Sequence, residues 1–187
     1  MLPTFNRLFL LVFSLILAAC SVQSPAPADF DKQQAAKARV ELGLGYLNRQ
    51  NPTQAKLNFD KALSYAPDYY LVHAALAYYY QRQGDVAQAE RAYLSAIKAD
   101  KKQGDVYNNY GTFLCSQGKF EQAYIQFQHA LNTPDYYHQA DTYENIALCA
   151  LSENNTALYR QYQALLGKLS PARAEALQAL SGPTPPR

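Results

Sequence analysis

The sequence predicts an all-α fold, a right-handed superhelical solenoid of antiparallel helix pairs. Three observations carry the prediction. From Ala36 the chain repeats itself every 34 residues, so segments starting at Ala36, Tyr70 and Gly104 superimpose. Small residues recur at the eighth position (Gly43, Ala77, Gly111) and at the twentieth (Ala55, Ala89, Ala123). Turn-forming pairs, Asn51-Pro52, Gly84-Asp85 and Gly118-Lys119, fall midway through each unit, where one helix must reverse into the next.

Further columns agree. The twenty-fourth position reads Phe59, Tyr93, Phe127 and the twenty-seventh reads Ala62, Ala96, Ala130. Each unit is then a helix A and a helix B. The small residues let the two backbones approach, and the aromatic fills the space toward the next unit. This pattern resembles the tetratricopeptide repeat. The units are expected at 36–69, 70–103 and 104–137, with a degenerate fourth at 138–171. In that fourth unit Thr142 to Ser152 reads as helix A with Ala147 in the small position. Ala157 to Leu169 reads as helix B, with Leu158, Tyr162, Leu165 and Leu169 on one apolar stripe. Its register is shifted by about two residues, placed in the Asp135–Gln139 connection, and Pro171 ends it. Residues 172–180 are expected to cap the exposed end, since terminal repeats must cover an open core. The Pro-rich 181–187 reads as a disordered tail.

The N-terminus carries a different kind of signal. Arg7 precedes the ten-residue apolar run Leu8–Leu17, too short to span a bilayer, which needs about 20 apolar residues. Leu17-Ala18-Ala19-Cys20 then resembles a bacterial lipobox. The resemblance implies cleavage after residue 19 and lipid attachment at Cys20, which would hold the chain on a membrane. Ser21 follows; an Asp there would be the usual inner-membrane retention mark, so the outer membrane is favoured, with the folded part facing the periplasm. Residues 20–34, with Pro25 and Pro27, read as a flexible tether.

Composition excludes several functions. The formal charge is +2, from 17 basic and 15 acidic residues, and falls to +1 without Arg7. No basic stripe concentrates it, which argues against nucleic acid as a partner. His73, His129 and His138 are scattered, without a second ligand at metal spacing. There is no Ser-His-Asp arrangement, no phosphate loop and no CxxC. Gly43-Leu44-Gly45 lies inside a helix and is a packing feature. No catalytic residue, metal, cofactor or small-molecule substrate is expected; the chain reads as a binding protein and not an enzyme.

The concave face of a repeat solenoid is lined by its A helices and is the usual peptide-binding surface. The register puts Val40, Leu44, Leu71, Ala74, Tyr78, Asn108 and Thr112 there, with Asn109 and Asn145 one position further along their helices. Their amides can donate to and accept from a peptide backbone, or else bond within their own helix pair. The face is lightly charged, which suits a nonpolar, aromatic ligand segment better than an acidic tail. Of the 16 tyrosines, Tyr80 takes a core position, Tyr78 the groove and Tyr79 the outer surface, because helix neighbours point about 100° apart. Cys115 and Cys149 stand one period apart in adjacent A helices. They read either as a disulfide, which an oxidising periplasm permits, or as two buried thiols.

The run Asp105-Val106-Tyr107-Asn108-Asn109-Tyr110-Gly111-Thr112-Phe113-Leu114-Cys115, behind a lipobox and a short tether, resembles type IV pilus biogenesis and stability lipoproteins of the PilF/PilW type. The resemblance implies an outer-membrane pilotin that binds a secretin subunit, or another pilus assembly protein, and promotes secretin localisation and multimerisation. The chain departs from those proteins in having about four repeats instead of six. A repeat lipoprotein that scaffolds peptidoglycan enzymes is the alternative.

Overall fold

The computed structural model describes residues 31–180 of the 187. Cys20, the leader and most of the tether, and the Pro-rich tail lie outside the described residues. Among the described residues every regular element is a helix: α1 (Lys32–Asn48), α2 (Pro52–Tyr65), α3 (Tyr70–Arg82), α4 (Val86–Ala99), α5 (Gly104–Ser116), α6 (Phe120–Leu131), α7 (Gln139–Ser152), α8 (Thr156–Leu169) and α9 (Pro171–Leu180). The odd-numbered helices to α7 are the A helices and the even-numbered ones the B helices. Each A packs on its own B, and α3, α5 and α7 each pack also on the B helix before them. Residues 32–34, read from the sequence as the end of the tether, belong to α1.

The A-to-B turns have one cause. A residue in the left-handed region stops each A helix: Gln50 (φ 57°), Gly84 (φ 74°), Gly118 (φ 71°) and Asn154 (φ 63°). The next residue caps the B helix. Asn51 Oδ1 accepts from the Gln54 amide at 3.1 Å, Asp85 Oδ1 from Gln88 at 3.0 Å and Asn155 Oδ1 from Leu158 at 3.1 Å. Lys119 holds the equivalent place without a side-chain cap. These turns recur after 34, 34 and then 36 residues. The longer 132–138 connection between α6 and α7 accompanies the shift.

Close backbone approach explains the small columns. A methyl group on Gly43 would lie 2.7 Å from Phe59 Cδ1, and one on Gly111 would lie 2.7 Å from Phe127 Cδ1 and 3.1 Å from the Ala123 carbonyl. Phe59, Phe127, Ala55, Ala89, Ala123, Ala62, Ala96 and Ala130 are fully buried. Phe59, Phe127, Ala55, Ala62, Ala89 and Ala123 belong to one continuous core in which a methylene too many has no room.

The fourth unit departs from the sequence reading in two ways. Tyr159, Tyr162 and Leu166 are buried, whereas Leu169 is 54% exposed and Leu158 and Leu165 are half-buried. The apolar stripe is therefore rotated by one residue from Leu158, Tyr162, Leu165 and Leu169. Counted with the two-residue shift, Tyr159 stands where earlier units have the small alanine, and Leu166 where they have Ala62, Ala96 and Ala130. The reason is the cap: Tyr159 donates a buried hydrogen bond to the Leu177 carbonyl at 3.0 Å, and Leu177 is 1% exposed. Pro171 does not merely end α8. It opens α9, where its fixed φ and missing N–H suit a first helical position.

Candidate partner-binding surface

The residues assigned to the concave face divide into three groups. Leu44, Leu71, Ala74 and Tyr78, on α1 and α3, are half-buried; Asn109 and Thr112, on α5, are exposed. These six are within reach of a partner. Val40 and Asn108 are not, and their assignment to the open face is corrected: Val40 is 1% exposed and Asn108 6%. Helix α1 is covered along one side by α3, and α5 by α7. Val40 and Asn108 fall on these two seams, whereas Ala74, at the same position of the second unit, stays half-buried.

Asn145 makes the seam visible. Its Nδ2 donates to Asn108 Oδ1 at 3.1 Å, from α7 to α5. The amide is therefore engaged, and with a neighbouring repeat instead of its own helix pair. Thr112 Oγ1 donates to the Asn108 carbonyl at 3.1 Å. Asn109 has no hydrogen-bonded side-chain partner among the described residues and keeps both donor and acceptor for a ligand.

The aromatic residues flank this face. Arg82 Nη1 donates to the Tyr78 hydroxyl at 3.2 Å, with the guanidinium 5.9 Å from the ring centre. Tyr79 does not turn outward. It is half-buried and meets Phe59 edge-on, with centroids 6.0 Å apart, because α3 packs against α2 and this position faces that contact. Tyr80 is half-buried beside it. Tyr93 donates to Gln81 Oε1 at 2.8 Å. Tyr110, whose pKa burial and then the nearby Glu90 carboxylate push up to about 12, lies 3.3 Å from Glu90 Oε1 and stays a neutral donor. Glu90 also receives Lys119 Nζ at 3.1 Å.

Cys115 and Cys149 come together as a disulfide joining α5 to α7, with Cα atoms 5.8 Å apart. Their surroundings differ, since Cys149 is buried and Cys115 half-buried. The 36-residue shift places Cys149 opposite the column of buried Phe113, so the pair is not made of equivalent positions. Sequence reading missed the polar ties that lock the last repeat: Arg173 of α9 bonds both Glu144 and, at 2.7 Å, Asp141 of α7, and Tyr124 donates to Glu153 at 2.8 Å. Only their long separation in sequence hid them. No group of three His, Cys, Asp or Glu able to hold a metal occurs among the described residues, and no described helix is long and apolar enough to cross a membrane.

A stack of antiparallel helix pairs with a lightly charged A-helix face defines a repeat scaffold for protein–protein contacts. The chain belongs to the tetratricopeptide repeat family, whose pattern matches residues 40–102 and 74–137. It is 52% identical to an uncharacterized protein of Haemophilus influenzae over 175 residues, covering 94% of this chain and 97% of that one. It is 35% identical to the type IV pilus assembly protein PilF of Pseudomonas aeruginosa over 140 residues, covering 75% of this chain but 56% of that protein. The solved structure of Pseudomonas aeruginosa PilF superimposes with a TM-score of 0.71 at 28% identity, over 82% of this chain and 79% of that one. The structure of PilW, a widely conserved type IV pilus biogenesis factor, gives 0.69 at 22% identity, over 78% and 71%, and shows the shared fold. The chain is thus a tetratricopeptide repeat protein related to the type IV pilus biogenesis factors.

Proposed function

We propose that this chain is an outer-membrane lipoprotein of type IV pilus biogenesis, tethered through lipid on Cys20, that acts as a pilotin. It binds a secretin subunit through its repeat surface and promotes secretin localisation and multimerisation. The observation that carries the reading is the 35% identity to PilF across 140 residues. The structure supports it with an accessible, lightly charged face of Leu44, Leu71, Ala74, Tyr78, Asn109 and Thr112, which suits a nonpolar segment whose backbone Asn109 can pair.

The test is deletion of the chain followed by blotting of fractionated membranes for secretin multimers and monomers. Loss of outer-membrane multimers, restored by the wild-type chain and not by an Asn109→Asp, Tyr78→Ala double variant, is expected. Multimers unchanged in amount and location after deletion would remove the pilotin role. Cys20→Ala tests the tether separately: the protein should leave the membrane fraction, and its retention there would refute lipid attachment.

A further inference from the structure

The array is left open at α1. Among the described residues no helix precedes it, whereas α3, α5 and α7 each pack on the B helix before them. Equivalent positions therefore differ in exposure. At the third position Ala38 is exposed, while Val72, Val106 and, counted with the two-residue shift, Thr142 are buried. At the seventh, Leu42 is 46% exposed, while Leu76 and Tyr110 are 6% and Ile146 1%. At the tenth, Tyr79 meets Phe59 of α2, and Phe113 meets Tyr93 of α4 with centroids 5.4 Å apart. A methyl group on Gly45, at the same position of α1, would meet nothing within 4 Å. Leu42 thus marks a helix face that the other three repeats cover and the first does not.

The chain does not supply that cover from its own repeat register. A preceding B helix would fall at residues 18–31, which include Pro25 and Pro27, and a helix interior rejects proline. The charge beside Leu42 is self-complementary instead. Lys37 and Glu41 are exposed and in no ion pair among the described residues. In a two-fold, antiparallel pair of α1 helices centred on Arg39, positions equally far before and after Arg39 stand opposite one another. Lys37 then faces Glu41 of the partner subunit and Glu41 faces Lys37 of the partner subunit, so both ion pairs form together. Leu42 falls on Ala35 of the partner subunit and Ala38 of the partner subunit, which are small enough for close approach. Antiparallel is also the direction of the missing cover, since each B helix runs antiparallel to the A helix that follows it. Leu44, of the concave face, stands about 160° round α1 from Leu42, so the partner-binding surface stays open.

We propose that this face is a self-association surface: two copies of the chain pair α1 against α1 about a two-fold axis at Arg39, each helix covering the other. One helix pair is smaller than a standard interface, so the association is weak and depends on concentration. It rests on neither the lipid nor the secretin reading.

The experiment is sedimentation equilibrium of residues 21–187, which retain every described helix and its core, from low micromolar to millimolar concentration. The wild type should pass from monomer toward dimer. Glu41→Lys and Lys37→Glu should each weaken the dimer about tenfold at unchanged helicity, because each turns two exposed ion pairs into like-charge contacts. The double variant Lys37→Glu, Glu41→Lys should restore it, and the two single variants should pair with each other better than either pairs with itself. Ala38→Cys, beside the axis, should form a disulfide between subunits on oxidation, whereas Leu94→Cys, exposed on α4, should not. A wild type that stays monomeric, association indifferent to the charge reversals, or a double variant that fails to recover overturns the proposal. So does equal or faster linking through Leu94→Cys. In a monomeric chain, an Ala38→Cys thiol shielded from alkylation would overturn it in favour of a cover formed by the residues ahead of α1.

Discussion

Two glycines of helix α1, two residues apart, should respond to the same substitution with opposite sign. At Gly45 a new methyl group meets nothing within 4 Å, so Gly45→Ala gains only the backbone entropy that glycine loses in a helix, about 0.5–1 kcal/mol. At Gly43 the methyl would sit 2.7 Å from Phe59 Cδ1. Phe59 is fully buried and meets Tyr79 edge-on at 6.0 Å, so its ring cannot yield without moving a second aromatic. Overpacking of this kind costs roughly 1–3 kcal/mol, against the same entropy gain of about 1. The net is a loss of about 0–2 kcal/mol for Gly43→Ala, and because the entropy gain is common to both variants their separation equals the overpacking cost, about 1–3 kcal/mol. At about 2–4 °C per kcal/mol for a chain of this size, their thermal midpoints should differ by about 2–12 °C. Thermal unfolding followed by circular dichroism at 222 nm measures it. A midpoint for Gly43→Ala equal to or above that of Gly45→Ala would refute the argument that helix separation in the first repeat is fixed by the Gly43–Phe59 contact.

Removing the Cys115–Cys149 bond by Cys149→Ser opens a link across 34 residues, worth about 4 kcal/mol in the chain-entropy model, and should selectively loosen α7–α9 in hydrogen exchange; two free thiols in the oxidised wild-type protein, counted by mass after alkylation, would contradict the bond. Tyr159→Phe strands the buried Leu177 carbonyl and should cost about 1–3 kcal/mol, with faster exchange confined to α8 and α9; uniform exchange would argue that the cap is not held there. The Asp105 carboxylate, 2.6 Å from His138 Nδ1, raises the His138 pKa above its unfolded value. That pairing contributes fully below about pH 6.5 and is lost as pH rises through the folded pKa. His138→Gln should therefore lower the midpoint more at about pH 5.5 than at about pH 8.5, by a small margin since the pair is exposed; an equal or reversed effect would count against it.

The repeat columns were legible because they are set by local geometry. A left-handed residue and a capping side chain must follow every A helix, and small residues must stand where two backbones meet, so Gly84, Asp85, Gly43 and Ala55 announce themselves. Those same rules also contained the register of the fourth unit. Placing Asn154 and Asn155 opposite Gly118 and Lys119 leads to Tyr159 and Leu166, but the leucines and tyrosines of α8 are too evenly spread for periodicity alone to choose one face. The groove residues divide in the same way. Asn109 and Thr112 are open because nothing crosses them, while Val40 and Asn108 are covered by the next A helix, a contact no single unit encodes.

By itself the sequence determined the helix pairs, their turns and the buried alanine and aromatic columns, since each depends on residues within one 34-residue period. Only the tertiary structure decided which side of each A helix stays open, where α9 closes the core, and that Asn145 ties to Asn108. Those outcomes depend on side chains from different repeats meeting, and their positions follow from the rise and rotation between units, which a two-residue shift in one connection is enough to change.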